Sequence, residues 1–322
     1  MKNNYNGLIN IYKEPGFTSN DVVAKMRGIL KMKKIGHTGT LDPEAVGVLV
    51  CCVGTGTRLV EELTDHTKEY IAVCRLGVET DTQDMTGTVI AEHGDDTIPD
   101  VAELNEAVQA FVGDYDQIPP MYSAIKVGGK KLYELAREGK EIERKARRIH
   151  IDSISVLDTS HLADRHEFTM EVRCSKGTYI RTLCNDLGQR LGCGGAMAHL
   201  TRTAVGSFHL DTAITLGQLE KLRDEDNVDS VVVPVEDFFK DLDSVHVLMT
   251  SRKLIENGNP FTIKDIADKE PSKAQDSQKK EAMYSEGTRV RVYDEDGVFF
   301  GVYKYNDKLR NFRVDKNFYT PQ

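Results

Sequence analysis

The amino-acid sequence predicts an α+β fold with a small β-rich unit at its C-terminal end. Strand-like and helix-like stretches alternate irregularly and several adjoin as apparent hairpins, unlike the regular alternation of a doubly wound parallel sheet. The 322 residues suit two domains at ~150 residues each. Three short strand-like stretches near the end, 289–293, 298–305 and 309–314, are joined by the turn sequences DEDG and YNDK.

The elements follow in order. Residues 8–12 read as a strand ending in the turn KEPG, after which Ser19, Asn20 or Asp21 can cap a helix. Val22, Val23, Met26, Ile29 and Leu30 recur there at helical spacing and leave Lys25, Lys31 and Lys33 on the other face. A glycine-punctuated loop, GHTGTLDPEAVG at 36–47, precedes an apolar run, a short helix near 57–63 and a strand at 69–76. Asp100 with Glu103 opens a helix ending near 112–113. The segment 117–148 starts with Pro119-Pro120, contains Gly128-Gly129 and reads as a protruding excursion. Strands near 149–157 and 167–174, an amphipathic helix at about 179–191 and a strand through 204–210 complete the first unit. The polar stretch 268–286 reads as a mobile loop. Residues 245–322 are expected to form the small C-terminal domain and 1–244 the larger one.

Composition excludes some classes of function. At 39% hydrophobic and 29% charged residues the chain suits a soluble protein with a sizeable core. Its longest apolar stretch, 45–53, is about half of a membrane span, so no membrane partner is expected. The N-terminal residues lack the apolar core of a secretory signal. Six scattered cysteines without a C-x-x-C pair fit neither a disulfide framework nor a zinc ribbon. A reduced, cytoplasmic setting is expected. The net charge of −9 argues against a nucleic-acid partner, yet the charge is segregated. Residues 25–34 carry five basic side chains and no acid, and 126–148 carry nine basic against four acidic; 92–116 hold eight acids and no Lys or Arg. Local basic patches can focus a field on a phosphate backbone, or they can be solvated helix faces.

Four clusters carry candidate chemistry. In 36–43, glycines permit tight turns and Pro43 keeps Asp42 out of helical geometry. Asp42 is thereby placed for nucleophilic or acid–base work, or for bonding its own backbone in a capped turn. CSKGTYIR at 174–181 stands at a strand-to-helix junction, where Arg181 can hold a carboxylate ionised or be a surface arginine on an amphipathic helix. Lys68-Glu69-Tyr70 opens a strand, with Tyr70 either a core aromatic or a stacking platform. PPMYSAIKVGGKKLYELAR at 119–137 interleaves aromatics with cations, a mixture suited to RNA.

Taken together and in this order, GHTGTLDPEAVGVL, KEYIA, TDTQDMTG at 80–87, PPMYSAIKVGGKKLYELAR, CSKGTYIRTLCNDLG at 174–188 and HLTRTAVGSF at 199–208 closely resemble the TruB family of tRNA pseudouridine synthases. The resemblance spans about residues 7–208. It implies a pseudouridine-synthase fold, with a mixed, mostly antiparallel central sheet flanked by helices. It implies isomerisation of uridine 55 in the TΨC loop of tRNA, without metal, cofactor or obligatory protein partner. The family's catalytic Asp falls on Asp42, its Tyr on Tyr70 and its Arg on Arg181. His37 matches the residue that fills the space left by the flipped uridine, and Leu200 an apolar residue lining the uracil pocket. Asp84 and Tyr179 match supporting positions. Lys126, Arg144, Arg147 and Arg148, in or beside a thumb-like insertion at 117–148, would meet the tRNA backbone. The tail EGTRVRVYDEDGVFFGVYK resembles, more loosely, a PUA RNA-binding domain.

The family commonly has a basic pair after Leu200, whereas this chain reads Thr201-Arg202-Thr203, so one phosphate contact is expected to be missing. Three other readings compete. A glycosidase would also cut at C1′ but would need a second, well-placed carboxylate. A non-catalytic tRNA chaperone could use the same groove. A guide-RNA-dependent pseudouridine synthase subunit would be a relative that works with partner proteins.

Overall fold

The computed structural model describes residues 4–267 and 284–320. Its first strand, β1 (Gly7–Lys13), is buried along nearly all its length. Helix α1 (Ser19–Leu30) follows, capped by Thr18 and not by the three residues expected. The Thr18 hydroxyl accepts from the Asp21 N–H at 3.1 Å, and the Asp21 carboxylate accepts from the Thr18 N–H at 2.9 Å. Asp21 is therefore the third helical residue of a capping box, which moves the helix start back by one to three positions.

Short β2 (Ile35–His37), β3 (Val46–Val53), α2 (Val60–Thr64) and β4 (Lys68–Leu76) come next. The apolar run 45–53 is β3, wholly buried because it lies between two other strands and is covered on both faces. A small hairpin of β5 (Val78–Thr80) and β6 (Val89–Glu92) then presents the loop 81–88. Helix α3 (Val101–Gln109) begins at Asp100, with Glu103 completing the expected capping box.

Strand β7 (Gly113–Gln117) pairs antiparallel with β10 (Arg147–Asp158), Gln117 opposite Arg147. That pairing closes the neck of the excursion, which contains the hairpin β8 (Lys126–Val127) and β9 (Lys130–Lys131) and the helix α4 (Leu132–Arg137). The acidic segment 92–116 thus supplies a helix cap and an edge strand. On that strand Asp114 and Asp116 lie 3.4 and 2.9 Å from Arg148.

After α5 (Leu162–Arg165) and β11 (Glu167–Cys174), helix α6 (Ile180–Leu191) starts at Tyr179 and ends at the left-handed Gly192. The strand expected at 204–210 is instead β12 (Gly195–Val205), followed by a turn at Gly206 and the two-residue β13 (Phe208–His209). Its inward positions include Gly195 and Arg202, which dilute the apolar alternation a strand normally shows. Helix α7 (Leu216–Asp224) packs on α1.

The main sheet runs β1-β3-β12-β4-β11-β10-β7, with β2 added to β3 and β13 to β12. Only β12 and β3 are parallel; every other pair is antiparallel. This is the mixed, mostly antiparallel sheet that the family resemblance implied, and it fits the α+β class. A second sheet joins β14 (Ser244–Val247), β15 (Arg289–Asp294), β16 (Phe299–Asn306) and β17 (Asn311–Asn317), with α8 (Arg252–Glu256) beside it. β14 was not foreseen; the other three lie within a few residues of expectation. Val302 and Phe318 enter the same apolar cluster as Phe239 and Leu63, so the second sheet is packed against the first unit. Of the polar stretch 268–286, residues 268–283 lie outside the described residues.

Candidate active site

The loop between β2 and β3 is held from several sides. The Leu41 N–H donates to Ser19 Oγ at 2.9 Å, and Thr64 Oγ1 donates to the Thr38 carbonyl at 3.0 Å. Lys13, fully buried at the end of β1, donates to the carbonyls of Pro43 and Ala45 at 2.8 and 2.5 Å. Arg202 Nη2 donates to the Gly39 carbonyl at 3.2 Å. The loop closes at Gly47, where φ is +105° and a Cβ would stand 2.2 Å from the Arg202 carbonyl oxygen. Only glycine fits that approach. Asp42 is thus presented on a fixed backbone.

Opposite it, the first turn of α6 supplies Arg181, 5% exposed. Its Nη2 donates to Asp42 Oδ1 at 3.1 Å, and its Nε lies 3.0 Å from Asp42 Oδ2. Nη2 also donates to the Tyr122 carbonyl at 2.9 Å, which ties the base of the excursion to the pair. Nη1 lies 3.6 Å from Asp84 Oδ2. One guanidinium therefore serves two carboxylates, as a rigid five-donor fork can. Enclosure pushes the Asp42 carboxyl above the ordinary range, Arg181 pulls it back, and the neighbouring Asp84 adds to the rise. Asp84 is itself held by the Thr86 N–H at 3.0 Å and the Thr82 hydroxyl at 2.8 Å.

A cavity of about 200 Å³ opens beside this pair, lined by Asp42, Glu44, Asp84, Met85, His199 and Leu200 among others. Its lining combines carboxylates with the apolar side chains of Ala45, Met85, Met197 and Leu200, a mixture that can hold a flat base by its faces and a charged transition state by its edge. Among the described residues no group of three or more His, Cys, Asp or Glu could hold a metal ion.

The remaining expected residues divide. Tyr70 lies on β4 between Val172 and Arg202 and is buried; it is not in the cavity wall. His37 ends β2, and its Nδ1 accepts from the Gly39 N–H at 3.3 Å, which leaves the proton on Nε2. Burial first and the charge of Arg202 second lower its pKa, which favours the neutral ring. Gln117 bonds the Tyr179 N–H and carbonyl at 2.8 and 3.0 Å, joining β7 to the start of α6. Lys126 and Arg147 are exposed. Arg144 turns back onto the Pro119 carbonyl at 3.2 Å, and Arg148 is engaged by the two aspartates of β7. The basic set is therefore not uniformly available to a phosphate backbone.

Residues 27–180 match the model of the TruB family pseudouridylate synthase N-terminal domain, and residues 181–240 that of the tRNA pseudouridylate synthase B C-terminal domain. The tRNA pseudouridine synthase B of Lachnoclostridium phytofermentans is 47% identical over 322 residues, 97% of this chain and 99% of that protein. The chain belongs to the TruB family. It is a pseudouridine synthase whose reaction is pseudouridine formation in tRNA. The Bacillus subtilis tRNA pseudouridine synthase B is 39% identical, over 92% of each chain. Among solved structures, one described as a Cbf5-Nop10-Gar1 complex contains a chain 26% identical to this one. It superposes with a TM-score of 0.67 over 97% of this chain and 85% of that chain.

The buried cations of this TruB-family site escaped the sequence reading. Lys13 and Lys68 are both buried, and burial brings each lysine down to about 8. Arg202 is 1% exposed, with its Nε donating to the Val48 carbonyl at 2.7 Å. A signal existed. Arg202 alternates in phase with Leu200 and Ala204, both inward-facing, so period two already points it into the core.

Proposed function

We propose that this chain converts uridine 55 of the tRNA TΨC loop to pseudouridine, with Asp42 as the nucleophile. The carrying observation is a loop carboxylate lining a cavity that also has apolar walls, clasped by a nearly fully buried arginine. Pseudouridine formation breaks the bond from uracil N1 to ribose C1′, turns the base and joins C5 to C1′. N1 gains a proton and C5 loses one, so the reaction is a balanced isomerisation that consumes no oxidant, reductant or nucleotide. Asp42 attacks while ionised, and Arg181 keeps it ionised and aimed.

The target uridine must leave its stack, at a cost of a few kcal/mol. His37 fills the gap, Leu200 packs on the uracil, and Tyr70 stacks and takes part in proton transfer once the base has entered. Asp84 and Tyr179 brace the pair. Residues 117–148 act as a thumb whose exposed cations, Lys126 and Arg147 foremost, meet phosphates; Arg144 and Arg148 contribute after rearranging. In this reading 1–244 is the catalytic domain and 245–322 a PUA-like RNA-binding domain, and the enzyme works in the cytoplasm without an obligatory protein partner.

The test uses an unmodified TΨC stem-loop, the purified chain and no added metal or nucleotide, with nucleoside analysis of the digested product. Pseudouridine at position 55, lost in Asp42→Asn while stem-loop binding persists, is expected. Product at another position would overturn the assignment of the site, and a fully active Asp42→Asn enzyme would overturn the nucleophile.

A further inference from the structure

Arg202 has no part in the chemistry described so far, and its surroundings set it apart. It is 1% exposed, and among the described residues no carboxylate pairs with it. Its Nε and Nη2 donate to the carbonyls of Val48 on β3 and Gly39 in the Asp42 loop. On β12 it stands opposite Tyr70 of β4 and in phase with Leu200, which lines the cavity. Burial pushes the Tyr70 phenol up, the Arg202 charge pulls it down and the Asp42 charge adds to the rise. Burying such a charge is costly, and an apolar side chain would fill the space more cheaply.

We infer that Arg202 is a positioning residue for the isomerisation, donating to the Tyr70 phenol oxygen and to the Gly39 carbonyl at once. A guanidinium carries only donors, so the phenol oxygen must accept from it. The Tyr70 proton then points away from Arg202, toward the Asp42 side where the base enters. The same side chain registers the Asp42 loop against Tyr70. A permanent cation at this point also favours negative charge on the phenol oxygen during proton transfer. The inference rests on the role proposed for Tyr70. It reassigns the basic residue after Leu200 from the phosphate backbone to the interior of the site.

The experiment measures single-turnover rates and stem-loop affinity for Arg202→Lys, Tyr70→Phe and the double variant. Arg202→Lys is expected to slow the chemical step by about tenfold to a hundredfold and to leave affinity within about twofold. Added to Tyr70→Phe, it should cost less than about threefold more, because its partner hydroxyl is already gone. A slow Tyr70→Phe enzyme that loses the full factor again in the double variant would overturn this inference alone. A Tyr70→Phe enzyme with the wild-type rate would overturn the role of Tyr70 and this inference with it. Loss of affinity with an unchanged rate would return Arg202 to the phosphate backbone. In the wild-type protein, which needs no variant to fold, slowly exchanging Arg202 guanidinium protons should show contacts to the Tyr70 ring by NMR. Their absence would also overturn the inference.

Discussion

The Arg181 guanidinium lies across the Asp42 carboxylate, Nε 3.0 Å from Oδ2 and Nη2 3.1 Å from Oδ1. The arginine is the buried partner, with a side chain 6% exposed against 34% for the aspartate. The cation is thus built into α6, while the carboxylate keeps one edge open toward the cavity. Replacing Arg181 by Met leaves Asp42 facing Asp84 with only the charge of Lys13 to offset it, and the Asp42 pKa rises further. In the proposed mechanism the ionised carboxylate is the reactive form, so the acid limb of the kcat profile should move to higher pH. At neutral pH the rate should fall by about a hundredfold or more. A pH–rate profile with an unmoved acid limb would refute the electrostatic role.

Arg147 and Arg148 are neighbours on β10, yet only Arg148 is engaged by Asp114 and Asp116. Arg147→Ala should weaken stem-loop binding and lower the slope of log affinity against log salt by about one unit. Arg148→Ala should change the slope less, since its charge is already compensated. Affinity measured at four salt concentrations decides this. A larger slope change at Arg148 would mean that its ion pairs open on binding.

Lys68 donates to the carbonyls of Thr64 and His66 from a buried position, and burial lowers its pKa from 10.5 to about 8. Between about pH 8 and 10.5 the unfolded chain holds a proton on this lysine that the folded chain has released. Stability from this group therefore rises with pH across that window. Relative to Lys68→Met, the wild type should gain stability between pH 7 and pH 9.5. Denaturant unfolding at the two pH values tests the sign; a shift toward the variant would contradict it.

Gly47 allows the Arg202 backbone to approach the start of β3. With φ at +105° and an added Cβ 2.2 Å from a carbonyl oxygen, Gly47→Ala should cost at least ~2 kcal/mol of folding stability. It should also reduce the rate, because β3 and β12 carry the two ends of the site. Gly16, with open space around its Cβ position but φ at +79°, should tolerate alanine better. Thermal melts of the two variants compare them directly.

Helices with strong apolar periodicity or caps were legible in the sequence. The stripe Val22–Leu30, the Asp100–Glu103 box and the run 179–191 all stand where expected. Such signals are local, generated by residues three or four apart. The hairpin carrying Asp84 and the edge strand β7 were missed, because their strands are short and their residues largely polar or exposed. Strand β12 was displaced in the reading because Gly195 and Arg202 occupy inward positions that usually hold large apolar side chains.

By itself the sequence determined the family, the α+β class and the residue types at the site, since ordered motifs and local periodicity survive in one dimension. Only the tertiary structure decided which charges are free to act. It buried Arg202 and Lys13 against the Asp42 loop, paired Arg148 with an acidic strand, and left Arg147 exposed. Charge in a sequence has sign but no neighbour. Its effect depends on burial and on partners that the β12–β4 and β7–β10 pairings bring together across gaps of 132 and 30 residues, as at Arg202–Tyr70 and Arg147–Gln117.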